Sequence, residues 1–286
     1  MFKNVYLEIS NICNLRCSFC PTVKREKKFI FLPDFKKIIT QVAPLTEVIS
    51  LHLMGEPLTH PNFSDILKAC EPFGTKIQIT TNGIEINKFK DLILNSKAIK
   101  QVNFSIQCFK DNFPNKDLDN YLQNILTFAV TANELKPNMY INLRLWNIGA
   151  DSKENESVFL FVEDFFKIKV KRNIDVAGIK TKRIWNRLSL SFDSRFEWPS
   201  LESQYNGTRG TCHGLKGHFG ILVDGTVVPC CLDKEGEIPL GNCLTQELNS
   251  ILKSSRAIKM RDGFDKGVLV EKLCQHCSYI KRFSKD

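Results

Sequence analysis

An α/β fold of parallel βα units is predicted by three observations. Strand-like and helix-like segments alternate over the first two thirds of the chain, several strands carry polar residues along one face, and a cysteine triplet follows the first strand directly. Runs rich in β-branched residues predict strands at 5–10, 48–54, 76–81, 102–107, 140–146 and 174–179, with amphipathic stretches at 33–42, 63–70, 87–95, 118–135 and 156–166 between them. Strands separated by helices of this length pair in parallel through right-handed crossovers, as a partial barrel or an open doubly wound sheet.

The first strand starts almost at Met1, which leaves no room for a signal peptide, and no apolar run approaches the roughly 18 to 20 residues of a membrane-spanning helix. The expectation is a cytoplasmic protein with no membrane contact. In the third strand Gln78 and Thr80 share a face with Asn82, and in the second Ser50 shares one with His52. The fourth sets Asn103, Ser105 and Gln107 against Val102, Phe104 and Ile106, and the fifth sets Asn142 and Arg144 against Ile141, Leu143 and Leu145. A barrel core is ordinarily filled by Val, Ile and Leu, so inward polar residues imply a hydrated cavity for a polar ligand.

After about residue 185 the period fades. Apolar runs at 219–223 and 226–228 flank Asp224-Gly225, a hairpin signal, and a helix is expected over 244–260 before a Cys-rich tail. This reads as a small appended domain held by metal, dividing the chain into 1–195 and 196–286. The formal charge of +9 is scattered rather than gathered into a basic stripe, so it reads as a solvated surface more readily than as a nucleic-acid footprint.

Cysteine usage is the sharpest signal. Eleven Cys without an export signal argue against a disulfide framework and for metal or redox chemistry. Cys13, Cys17 and Cys20 form a C-x3-C-x2-C triplet on one loop. Three thiolates can hold three irons of a 4Fe–4S cube, which leaves one iron open to a ligand. In the tail, Cys212, Cys230, Cys231, Cys243, Cys274 and Cys277 form a second group that includes a C-x2-C pair; Cys70 and Cys108 read as structural. Four Cys including a C-x2-C pair also suit structural zinc. A zinc-stabilised nucleic-acid-binding protein is therefore the rival reading.

With the triplet, Met54-Gly55-Glu56-Pro57, Thr81-Asn82-Gly83 and the polar strand ends taken together, residues 5 to 180 resemble the radical S-adenosylmethionine (radical SAM) superfamily. The resemblance implies a partial (β/α)6, TIM-like barrel with two 4Fe–4S clusters, one binding S-adenosylmethionine and one auxiliary. It implies that Phe19 lies near the adenine, that Gly55 and Glu56 meet the methionine amino group, and that Asn82, Ser105, Gln107 and Arg144 complete the cofactor pocket. Met54 stands where the family has a first Gly, and the stretch around Arg144 departs from the family's Gly-x-Ile-x-Gly pattern. The tail, Cys212-x12-Gly225-x4-Cys230, resembles the SPASM/twitch extension of such enzymes, which implies a quartet of Cys212, Cys230, Cys274 and Cys277 for the auxiliary cluster, with Cys231 adjoining and Cys243 an alternative member. The function implied is reductive cleavage of S-adenosylmethionine to a 5′-deoxyadenosyl radical, followed by hydrogen abstraction from a small-molecule or peptide substrate. The auxiliary cluster would assist oxidation, and a flavodoxin or ferredoxin would donate electrons.

Overall fold

The computed structural model describes residues 1–149, 155–172, 174, 176 and 180–283. Six parallel strands form its centre: β1 (Asn4–Leu7), β2 (Val48–Ser50), β3 (Lys76–Thr81), β4 (Ile99–Ser105), β5 (Tyr140–Ile148) and β7 (Leu188–Ser194). Between them run α1 (Leu32–Val42), α2 (Phe63–Cys70), α3 (Ile86–Asn95), α4 (Cys108–Asn112), α5 (Leu118–Leu135) and α6 (Asn155–Phe166). The helices of the expected pattern form because apolar residues recur once per turn. In α1 the buried side chains are Phe35, Ile38, Ile39 and Val42, and in α2 they are Phe63, Ile66, Leu67 and Cys70. In α5 the Asp117 carboxylate caps the amides of Asp119 and Asn120.

The strands bury their apolar sides under these helices. Val5, Leu7, Ile49, Ile77, Ile79, Val102, Phe104, Leu143 and Leu190 belong to one core with the helix faces. The opposite faces are polar, as the sequence predicts, and they are joined by hydrogen bonds. Ser50 Oγ donates to Asn4 Oδ1 (3.1 Å), Asn103 Nδ2 to Thr80 Oγ1 (3.3 Å), and Asn142 Nδ2 to Asn103 Oδ1 (2.9 Å). The sheet is curled into a partial barrel: on a flat sheet β1 and β5 would lie about 19 Å apart, at roughly 4.8 Å per strand. Here Tyr6 of β1 and Trp146 of β5 line the same cavity.

Three expectations are corrected. The sixth parallel strand is β7, where Leu188, Leu190 and Phe192 alternate with Ser189 and Ser191; antiparallel β6 (Thr181–Trp185) covers its edge. The strand expected at 174–179 falls mostly outside the described residues. The helix expected over 244–260 is two, α7 (Leu248–Leu252) and α8 (Ser255–Asp265), because Ser254 caps the second through the Ala257 amide. The C-terminal hairpin, β8 (His218–Ile221) and β9 (Thr226–Val228), is not a separate sheet. β8 pairs in parallel with β1, and with β10 (Gly241–Asn242) it extends one ten-stranded sheet ordered β10-β9-β8-β1-β2-β3-β4-β5-β7-β6. The reason is the exposed edge of β1, whose amides and carbonyls need partners once burial removes water. A short helix, α9 (Lys272–Gln275), completes the tail. Among the described residues no helix is long and apolar enough to cross a membrane.

Glu8, fully buried just beyond β1, fastens this join. Its carboxylate accepts from Arg25 Nη2 (2.9 Å), Met54 N (3.3 Å) and Val223 N (2.9 Å). Glu8→Ala strands the Arg25 charge and two amides, so a loss of about 3–5 kcal/mol is expected. Denaturant unfolding of the purified protein measures it, and a loss below about 1 kcal/mol would show that the join does not depend on this residue.

Candidate functional site

The loop carrying Cys13, Cys17 and Cys20 leaves the C-terminal end of β1, the end of a parallel barrel where chemistry is ordinarily placed. Neighbouring loops brace it. Gly55 has φ +75°, and a Cβ there would sit 2.4 Å from Ser10 O and 2.9 Å from Ile12 O, so the chain after β2 packs against the Cys loop as only glycine permits. Glu56 N donates to Ile12 O (2.9 Å). The buried Glu56 carboxylate accepts from Leu58 N (3.0 Å) and Asn82 N (2.7 Å), tying this loop to the end of β3. Burial raises its pKa to about 7. Asn82 Nδ2 donates to Asn14 Oδ1 (2.7 Å), and the Asn82 carbonyl accepts from Tyr121 Oη (2.7 Å).

The short helix α4 is a second brace, and the sequence reading passed over it. Asp111 accepts from Ser18 N (2.6 Å) and Ser18 Oγ (2.5 Å), Asn112 Oδ1 accepts from Arg16 N (2.8 Å), and Asn112 Nδ2 donates to Cys17 Sγ (3.1 Å). Cys108 begins α4. A hydrogen bond from Cys108, with the Asn112 bond, lowers the Cys17 pKa. Burial pushes Cys13 to about 11 and Cys20 to about 12. Loading of metal must displace those protons. The only available signal for α4 was its place after a strand's C-terminal end.

Ser105 ends β4, and Gln107 lies beyond it at the head of α4 with a buried Oε1 that has no hydrogen-bond partner. An orphan acceptor beside the Cys loop suits a ligand that donates to it. Phe19 lies under the Arg195 guanidinium, 5.7 Å from ring centroid to carbon. Arg144 lies beside Ser105 in the sheet, with the two Cα atoms opposite one another, and its guanidinium feels Tyr6 and Cys231 and acts on His52.

Cys212, Cys230, Cys274 and Cys277 line one cavity of about 600 Å³ together with Cys231. Cys243 does not. It is fully buried and donates to Gly225 O (3.2 Å). His213 and His218 reach the cavity wall, whereas His276 bonds the Ser203 carbonyl (2.6 Å). In both Cys groups the thiols feel one another electrostatically. Yet among the described residues no three Cys, His, Asp or Glu side chains are set to share a single ion. Thiolates around one zinc stand about 3.8 Å apart, from 2.3 Å bonds at tetrahedral angles.

The family model described as "Radical SAM superfamily" matches residues 7–135, and that described as "Iron-sulfur cluster-binding domain" (SPASM) matches 212–278. The chain belongs to the radical SAM superfamily. Its cofactors are accordingly S-adenosylmethionine and a 4Fe–4S cluster, with auxiliary iron–sulfur in the SPASM segment. The first match spans Cys13 to Gln107 among the expected site residues and stops before Arg144; the second spans the whole quartet. A curated relative, the tungsten-containing aldehyde ferredoxin oxidoreductase cofactor-modifying protein of Pyrococcus furiosus, is 33% identical over 85 residues. That segment is 28% of this chain and about a quarter (24%) of the relative. Among solved structures, BtrN in complex with AdoMet and 2-DOIA superposes with TM-score 0.61 at 16% identity, over 100% of this chain and 96% of BtrN. Streptococcus suis SuiB bound to S-adenosylmethionine superposes with TM-score 0.64 at 18% identity, over 100% of this chain and 76% of SuiB. These likenesses show a shared fold.

Hydrogen bonds to cluster sulfurs help set reduction potential. If Cys17 is a ligand, Asn112→Ala should make the first cluster harder to reduce by tens of millivolts. An EPR-monitored redox titration checks this, and an unchanged potential would leave Asn112 as a loop brace only.

Proposed function

We propose that this chain is a radical SAM oxidoreductase or modifying enzyme that abstracts hydrogen from a small-molecule or peptide substrate, with one auxiliary cluster assisting oxidation. The observation that carries the reading is the pair of separated Cys groups, one on the loop after β1 and one around the 600 Å³ cavity. When bound at such a site, S-adenosylmethionine supplies a 5′-deoxyadenosyl radical on one-electron reduction. The protein's own residues position and shield.

In this reading Cys13, Cys17 and Cys20 hold the first cluster. Phe19, Gly55, Glu56, Asn82, Ser105 and Gln107 form the cofactor pocket. Gln107 Oε1 is available to accept a hydrogen bond, and the brace of Glu56 on Asn82 fixes the pocket wall. Cys212, Cys230, Cys274 and Cys277 hold the auxiliary cluster. A flavodoxin or ferredoxin would supply electrons in the cytoplasm, where thiols stay reduced. For the two structural relatives, the bound species are 2-DOIA in BtrN and the precursor peptide SuiA in SuiB. Both substrate classes therefore fall within this architecture.

Anaerobically reconstituted protein should carry about eight irons, from two four-iron clusters. Replacing Cys13, Cys17 and Cys20 together by Ala should leave about four and abolish formation of 5′-deoxyadenosine. About four irons with zinc in the unmodified protein would sink the auxiliary-cluster assignment.

The auxiliary cluster has its own test. Cys274→Ala/Cys277→Ala should retain the first cluster and still release 5′-deoxyadenosine under strong reductant, detected by chromatography, while substrate turnover is lost. Rapid proteolysis of the C-terminal segment in that variant would instead mark the cluster as a staple for a thin core.

A further inference from the structure

Arg144 is a charged feature of the barrel interior that neither Cys site uses. β5 places it on the inward face, with its Cα opposite Ser105 on one side and Ser191 on the other. Its guanidinium stacks on Trp146, 4.5 Å from the ring centroid, and Trp146 lines the 600 Å³ cavity together with Tyr6 and Cys231. Burial dominates its surroundings and lowers its pKa to about 10, so the group stays charged. Tyr6 and Cys231 act on it and it acts in turn on His52, and among the described residues no Asp or Glu forms an ion pair with it. A buried charge ordinarily has a partner of opposite sign. Arg144 keeps partial exposure despite its depth, so the interior space reaches it.

His52 adds an independent observation. It shares the inward face of the barrel, its Nε2 lies 3.1 Å from Thr80 Oγ1, and its buried Nδ1 has no hydrogen-bond partner. Burial, with Arg144 nearby, pushes its pKa down to about 3, so the ring is neutral. With the Thr80 hydroxyl donating to Nε2, Nδ1–H is a free donor near the guanidinium. Tyr6 packs edge-on against His52, with ring centroids 5.8 Å apart, and brings a phenolic hydroxyl to the same region. The Tyr6 hydroxyl is engaged with Cys231 and Asn4; a cation beside a free N–H and backed by an indole is chemically matched to an oxyanion.

We propose that Arg144, flanked by Tyr6 and His52, docks a carboxylate or phosphate group of the substrate between the two Cys sites. The proposal rests on the radical SAM reading and narrows it to anionic substrates. It gives Arg144 a substrate rather than the cofactor that the family resemblance implies for it. Its guanidinium lies over Trp146 on the wall of the second cavity and acts electrostatically on Cys231 there.

The test uses reconstituted protein carrying Trp185→Phe and Trp198→Phe, so that Trp146 is the remaining tryptophan of the three. At low ionic strength, inorganic phosphate and acetate are titrated separately while Trp146 emission is followed. A saturable response to one or both is expected, and the stronger of the two identifies the substrate's anionic group. Arg144→Gln should weaken it by about tenfold or more, and Arg144→Lys should restore part of it. No saturable response in iron-loaded protein, or an equal response in Arg144→Gln, would overturn the proposal; the latter would assign binding to the basic surface. A tenfold rise in the S-adenosylmethionine dissociation constant of Arg144→Gln would also overturn it, by placing the guanidinium on the cofactor. Formation of 5′-deoxyadenosine by the unmodified protein tests the underlying reading separately, and its absence alongside intact anion binding would sink that reading alone.

Discussion

One buried carboxylate holds together three stretches of chain that would otherwise have little reason to stay in register. Glu8 receives Arg25 from the segment after the Cys triplet, the Met54 amide from the loop after β2, and the Val223 amide from the C-terminal hairpin. The same segment is clasped again where Arg25 Nε donates to Lys234 O (2.7 Å) and the Glu235 carboxylate accepts from the Lys24 amide (3.1 Å). Taking a carboxylate out of water is costly unless its lone pairs are filled, and here burial still pushes the Glu8 pKa upward. That cost is tolerated because the carboxylate fixes the position of the second Cys segment relative to the first.

The barrel is organised inside out by comparison with a packed one. Apolar faces of the strands point toward the helices, where one continuous core supplies the stability. The inner face carries Tyr6 and Arg144 together with Asn4, Ser50, Thr80, Asn103 and Asn142, and hydrogen bonds among the last five run from strand to strand. An interior of this kind cannot be stabilised by burial of hydrocarbon, so it stays open to a polar ligand. The hairpin that covers the edge of β1 also brings Cys230 and Cys231 to the mouth of this interior. Sheet extension and delivery of the second Cys group are thus a single structural event.

Much of this architecture was legible because helix periodicity is local. The expected helices at 63–70 and 118–135 coincide with α2 and α5, whose apolar residues repeat within a few positions. β7 was missed because Ser189 and Ser191 dilute its short alternation, and the break between α7 and α8 was missed because a single hydroxyl, that of Ser254, makes it. Pairing of β8 with β1 has no local signature, since the partners come from opposite ends of the chain.

The sequence by itself determined the first Cys loop, the parallel βα order and the polarity of the strand faces. Each depends on residues within one turn, one strand or one tight loop. The tertiary structure decided what the distant residues do. It gathered Cys212, Cys230, Cys274 and Cys277 around one cavity, buried Cys243 away from it, and set α4 against the Cys triplet. It also turned Arg144 toward Tyr6 and Cys231. These placements follow from how far the sheet curls and which edge its last strands join. Both are properties of packing between segments far apart in the chain, so no stretch of sequence specifies them alone.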